Sequence, residues 1–220
     1  MPVRFPAVLL PALLVASTSH AITSFTTAAD FEASLPSTPG IGRVDFEGLS
    51  PGSLLPSGTS IGGITFTYSI DGLTMRVTDR FDTTSPRNSL GLTGGDDAFL
   101  DGDPFTLTFD QPLFALGLSF ITSDPVLPGE IQIVTSEGTV LGSGVPEEVL
   151  ADGGIVYFLG LTGGSVSSAL IDFAADGEVN FVYNVDDIVT QVPEPWTLLL
   201  AGAGVIALGA WRRHTRRQSR

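Results

Sequence analysis

The sequence predicts an all-β chain: an antiparallel two-sheet sandwich of the jelly-roll kind, with an N-terminal signal helix and a C-terminal transmembrane helix. Three observations carry that expectation. Short runs of alternating apolar and polar residues recur at intervals of roughly ten residues, the period-two signature of half-buried strands. Gly, Pro, Asp and Ser cluster between those runs, as turns require. Only one stretch of the middle region has helical spacing, residues 28–35, and Pro36 ends it.

The strands follow in order. Ile64, Phe66 and Tyr68 alternate with Thr65, Thr67 and Ser69, and Phe105, Leu107 and Phe109 alternate with Thr106, Thr108 and Asp110. Residues 113–122 place Phe114, Leu116, Leu118 and Phe120 opposite Ala115, Gly117 and Ile121, so this strand is apolar on both faces and belongs in the middle of a sheet. Further strands are expected at 42–47, 73–78, 129–136, 154–162, 166–174 and 179–190. The hexapeptide Leu-Gly-Leu-Thr-Gly-Gly occurs at 90–95 and again at 159–164. The flanks differ, Asp-Asp-Ala-Phe-Leu after the first copy and Ser-Val-Ser-Ser-Ala after the second, so the repeat reads as two strand ends entering glycine turns.

The two ends read as targeting segments. Arg4, an apolar run from Phe5 to Val15 and a small polar stretch ending Ser19-His20-Ala21 form the charge, apolar, small-residue order of a secretory signal, with cleavage after Ala21. At the other end, Pro193-Glu194-Pro195 precedes an apolar run from Trp196 to Trp211 and an arginine-rich tail. Sixteen helical residues span about 24 Å, short of the ~30 Å hydrocarbon core. Flanking arginines and a tryptophan at each interface still suit a marginal transmembrane helix, with the tail in the cytoplasm. The expected division is a signal peptide over 1–21, a β-sandwich ectodomain over 22–191 and a C-terminal signal over 192–220. That signal divides into the motif 193–195, the helix 196–211 and the basic tail 212–220.

The order of Pro193-Glu194-Pro195, a Leu/Ala/Gly-rich span and the Arg212-Arg213 cluster resembles the PEP-CTERM sorting signal of Gram-negative bacteria, also labelled an ice-binding protein C-terminal segment. Trp196 stands where that family more usually has a small residue. The resemblance implies recognition by a membrane-embedded exosortase, which cleaves near the Pro-Glu-Pro. It implies an inner-membrane-anchored precursor in the cell envelope, then an extracellular or cell-surface product. It also implies kinship with proteins of the exopolysaccharide matrix and biofilm.

Composition narrows the chemistry of the middle region. Residues 22–191 hold 23 acidic residues against Arg43, Arg76, Arg80 and Arg87, a balance of −19, which repels nucleic acid. Lysine and cysteine are absent from the chain, and His20 and His214 both lie outside the middle region. This excludes Ser-His-Asp and Cys-His nucleophile pairs, imidazole or thiolate zinc sites and lysine Schiff bases there, and leaves carboxylate and hydroxyl chemistry.

Two acidic groups are candidates. Asp45-Phe46-Glu47 near the start and Asp186-Asp187 near the end resemble the early Phe-Glu and late Asp-Asp of extracellular carbohydrate-binding jelly rolls. In those modules such acids ligate a structural calcium where the first and last strands meet. The resemblance implies calcium at Glu47 and Asp187, with Asp186 beside them; the alternative is solvated strand-end acids. Asp96, Asp97, Asp101 and Asp103 form a second cluster that fits no EF-hand spacing and reads either as a loop calcium site or as an acidic surface loop. Thr65-Phe66-Thr67 and Thr106-Leu107-Thr108 invite an ice-binding reading, although alternating threonine is ordinary on exposed strands.

Two functions follow. One is a non-catalytic secreted matrix protein associated with exopolysaccharide. The other is a glycosidase or polysaccharide-modifying enzyme using two carboxylates, about 5–5.5 Å apart if retaining or about 6.5–9.5 Å if inverting. The discriminating observation is a cleft holding two convergent carboxyls, one with a raised pKa.

Overall fold

The structure is a computed structural model that describes residues 21–36, 40–94, 96–173 and 181–193. The predicted signal helix, the transmembrane run 196–211, Glu194, Pro195, Arg212 and Arg213 lie outside the described residues. Among the described residues no helix is long and apolar enough to cross a membrane.

The fold is mostly antiparallel β-sheet with one short helix. In chain order the elements are β1 (Thr23–Phe25), α1 (Ala28–Ser34), β2 (Ile41–Val44), β3 (Leu54–Leu55), β4 (Thr59–Ile61), β5 (Ile64–Tyr68), β6 (Met75–Thr78) and β7 (Ser89–Leu92). Then come β8 (Phe99–Leu100), β9 (Phe105–Thr122), β10 (Ile131–Thr135), β11 (Gly138–Leu141), β12 (Glu148–Val149), β13 (Ile155–Phe173) and β14 (Val182–Gln191). The strands belong to one hydrogen-bonded network whose main path runs β11-β10-β13-β9-β14-β7-β6-β3.

The long strands differ from the expected ones. Residues 105–110 and 113–122 are one strand, β9, and 154–162 and 166–174 run together as β13. Each changes environment midway. The first half of β9 lies between β5 and β13, whereas residues 115–122 lie between β13 and β14. The second Leu-Gly-Leu-Thr-Gly-Gly copy therefore does not end a strand. Gly163 (φ 95°) and Gly164 (φ 71°) bulge inside β13, where its register with β9 shifts, and glycine tolerates that backbone. The first copy does end a strand, since β7 stops at Leu92. The short strands β1, β3, β4, β8, β11 and β12 were not among those expected, because two to four residues give too little periodicity to read, and β7 was expected only as the strand end at the first hexapeptide.

The second half of β9 is buried on both faces, as its sequence requires. Leu116, Leu118 and Phe120 join the main core, which also takes in Phe66, Phe99, Leu107 and Tyr183. On the opposite face Ala115 meets Phe31 of α1 together with Phe158 and Val189. Helix α1 forms where its spacing predicts. The Thr27 side chain accepts from the Asp30 N–H at 3.3 Å, Glu147 Oε1 accepts from the Ala28 N–H at 2.9 Å, and Asp30 complements the N-terminal end of the dipole.

The first glycine of each hexapeptide permits a close approach. Gly160 and Gly117 are cross-strand partners, and a Cβ on either would stand 2.8 Å from the Phe31 ring. The pair forms a side-chain-free floor on which that ring lies. A Cβ on Gly91 would stand 1.9 Å from the Asp97 carbonyl oxygen, so β7 accepts the 93–98 loop only without a side chain. Gly91→Ala is expected to cost about 2 kcal/mol, the scale of overpacking where backbone must move, and urea denaturation monitored by circular dichroism measures it.

Candidate functional site

The acids singled out near the start and end of the sequence come to one place through a third segment, the loop between β6 and β7. Glu47 Oε1 accepts from the Asn88 N–H (2.6 Å), the Arg87 N–H (2.8 Å) and the Ser85 hydroxyl (3.1 Å). The Ser85 N–H in turn donates to Asp186 Oδ2 at 2.8 Å, joined there by the Thr84 hydroxyl at 3.0 Å. Asp186 Oδ1 accepts from the Asp187 N–H at 2.7 Å. Ser85 thus links the two carboxylates, and Asn88 fastens the Asp45–Glu47 segment by donating to the carbonyls of Phe46 and Leu49.

Two backbone distortions aim these side chains. Asp186 pairs with Ser119 and Val189 with Gly117, so β14 carries one extra residue against β9. This bulge holds Asp187 at φ 48°, and Phe46 sits at φ 57°, both in the left-handed region that non-glycine residues seldom occupy. As a result adjacent acids diverge. Asp186 is fully buried, whereas Asp187 meets the Arg43 guanidinium at 3.0 Å, which also pairs with Glu32 of α1. Arg43, Glu32 and Asp187 line a polar cavity of about 200 Å³ together with Glu147, Glu148, Thr84 and Ser119.

The carboxyls are tuned in opposite directions. Burial pushes Asp186 up to about 6, reinforced by the Asp187 charge and only partly offset by its hydrogen bonds. Desolvation also opposes ionisation of Glu47, but the Asn88 and Arg87 N–H groups and the Ser85 hydroxyl outweigh it and hold that carboxyl below its ordinary range. Arg43 is raised, because hydrogen bonds to Asp187 and Glu32 exceed the effect of its partial desolvation.

The calcium expectation finds no convergent ligand set here. Glu47 and Asp186 are occupied by protein donors and Asp187 by Arg43, and no group of three or more His, Cys, Asp or Glu residues that could hold a metal occurs among the described residues. The second acidic cluster divides in the same way. Asp97 pairs with Arg76 at 2.7 Å and Asp96 lies 3.7 Å from Arg80. Asp103 accepts from the Leu100 N–H through its side chain and from the Tyr183 hydroxyl through its carbonyl, while Asp101 is buried beneath the same turn. Burial, with Asp103, Asp101 and Asp172 nearby, pushes the Tyr183 phenol well above its ordinary value.

The two Thr-x-Thr units, 39 residues apart in the chain, turn out to be neighbours: Thr65 pairs with Thr108 and Thr67 with Thr106 across β5 and β9. The sequence could not show this register. Nor did it single out Ser85, whose only local signal is the turn-forming Thr-Thr-Ser-Pro at 83–86.

Residues 191–217 match the PEP-CTERM protein-sorting motif. The match begins on Gln191, the last residue of β14. A search of curated proteins finds no match to the chain. This motif generally directs processing by an exosortase, and it marks an exported, cell-envelope-associated protein of a Gram-negative bacterium.

Proposed function

We propose that an exported chain with this sorting signal serves as a non-catalytic matrix protein, anchored in the inner membrane as a precursor, cut near Pro193-Glu194-Pro195 and then associated with exopolysaccharide outside the cell. The observation that carries the reading is the sorting motif itself, which starts where the last strand of a β-rich domain ends. We read that domain as a jelly-roll-like sandwich, with β9 and β13 passing between its layers. The acidic ectodomain favours weak, multivalent association over tight binding to acidic polymers, with calcium bridging as one route.

One observation favours the enzyme reading: Asp186, at about 6, has the pKa of a general acid. Its two oxygens already accept from Thr84, Ser85 and Asp187, and this supports a structural role in holding the loop. The test is co-sedimentation of the full-length chain with exopolysaccharide from the source cells, in calcium and in chelator. Pelleting with the polymer is the expected result, and loss in chelator would identify calcium bridging. A chain that stays in the supernatant under both conditions would end the polysaccharide reading.

A further inference from the structure

Among the described aromatic residues, Phe81 alone belongs to neither core cluster. Ten phenylalanines are buried, Phe25 and Phe114 pack beside α1, and Tyr68, Tyr157 and Tyr183 spend their hydroxyls on backbone partners. Phe81 instead lines a cleft of about 200 Å³ between the β6–β7 loop and the turn before β13. Ile121 and Val182 complete its apolar surface, and Ser123, Asp152 and Asn184 supply its polar groups. The Arg80 guanidinium stands 5.4 Å from the ring centroid and steadies it.

The cleft is braced by a reciprocal clasp. The Asp82 N–H donates to Asp152 Oδ2 at 2.9 Å, and the Asp152 N–H donates to Asp82 Oδ2 at 3.0 Å. Asp152 Oδ1 also accepts from the Gly154 N–H at 2.9 Å, which fixes the carboxylate beside Gly153, whose φ of 95° keeps the turn tight and open to solvent. An ionised carboxylate offers about four acceptor sites. Asp152 uses two of them on protein N–H groups, and the rest suit ligand hydroxyls.

We propose that this cleft binds one uncharged pyranose unit of a glycan, its C–H face against the Phe81 ring and its vicinal hydroxyls on the remaining acceptor sites of the two Asp152 carboxylate oxygens. The assignment rests on the exopolysaccharide reading and deepens it by naming the sugar class. Aromatic face, small cavity and paired acceptors are the complement of a pyranose. The Asp152 carboxylate in the lining, with Asp82 bonded to it and Asp124 bonded to Ser123, repels a uronate, so the site selects neutral sugars.

The test is saturation-transfer difference NMR on the full-length chain in detergent, with methyl β-D-glucopyranoside, N-acetyl-D-glucosamine and D-glucuronate as probes. Transfer to at least one neutral sugar, none to glucuronate, and about tenfold weaker binding in Phe81→Ala is the expected result. Phe81→Leu keeps the apolar volume but removes the ring, and it decides the matter should the alanine variant unfold. Undiminished transfer in the leucine variant, or no transfer to any probe, would overturn the assignment. If the chain still sediments with exopolysaccharide after such a failure, only the cleft is refuted. Neutral-sugar binding that depends on Phe81, without sedimentation, would instead refute the proposed partner and leave the site standing.

Discussion

Phe31→Ala is expected to lower the stability of the chain by about 4 kcal/mol, the cost of deleting a fully buried aromatic and leaving a cavity. Phe31 has no exposed surface, touches Phe158 with ring centroids 5.3 Å apart and Phe25 at 5.7 Å, and lies on the Gly117–Gly160 floor. It is the one fully buried residue of α1, so nothing else on the helix replaces its contact. Helix release would also free Glu32 from Arg43 and the Ala28 N–H from Glu147, opening the polar cavity beside Asp187. Urea denaturation gives the stability, and hydrogen exchange at residues 28–34 reads the helix directly. A loss below about 1 kcal/mol would mean that α1 docks by other means.

Asp186→Ala is expected to cost about 3 kcal/mol at neutral pH, because it strands the part-buried donors of Thr84, Ser85 and Asp187 together. The pH dependence separates the carboxyl from its hydrogen bonds. With the folded-state pKa raised from 3.8 to about 6, the folded chain holds the proton more tightly than the unfolded one. Stability from this group is therefore fully present below pH ~4 and declines by about 3 kcal/mol as pH rises from ~4 through ~6. Glu47 acts oppositely. Its depressed pKa contributes stability above the unfolded value of 4.5 that is lost as pH falls through the lower folded value. Denaturation midpoints across pH 3 to 8 should show the upper decline in the native chain and not in Asp186→Asn. An unchanged upper limb in that variant would assign the decline to another group.

Much of the fold was legible locally. Alternation placed β5, β9, β10, β13 and β14, the two-sided apolarity of residues 113–122 put the second half of β9 inside a sheet, where β13 and β14 flank it, and the helical spacing of 28–35, ended by Pro36, gave the helix. The site was legible only in part. Asp45–Glu47 and Asp186–Asp187 do approach one another, but through Ser85 and Asn88, which no spacing connects to either pair. Phe81 reads in the sequence like any other phenylalanine, because exposure depends on what packs against a side chain and not on its neighbours in the chain.

By itself the sequence determined the β character, the acidity of the middle region, its narrow repertoire of carboxylate and hydroxyl chemistry and the sorting motif at 191–217. All of these are properties of composition or of short windows, where periodicity and turn chemistry act over a few residues. Only the tertiary structure decided which acids meet protein donors, that Asp186 is buried while Asp187 turns to Arg43, that Thr65 lies beside Thr108, and that Gly117 and Gly160 make room for Phe31. Those outcomes depend on strand register and on one bulge residue in β14, and a single-residue change in register reverses which face every side chain takes.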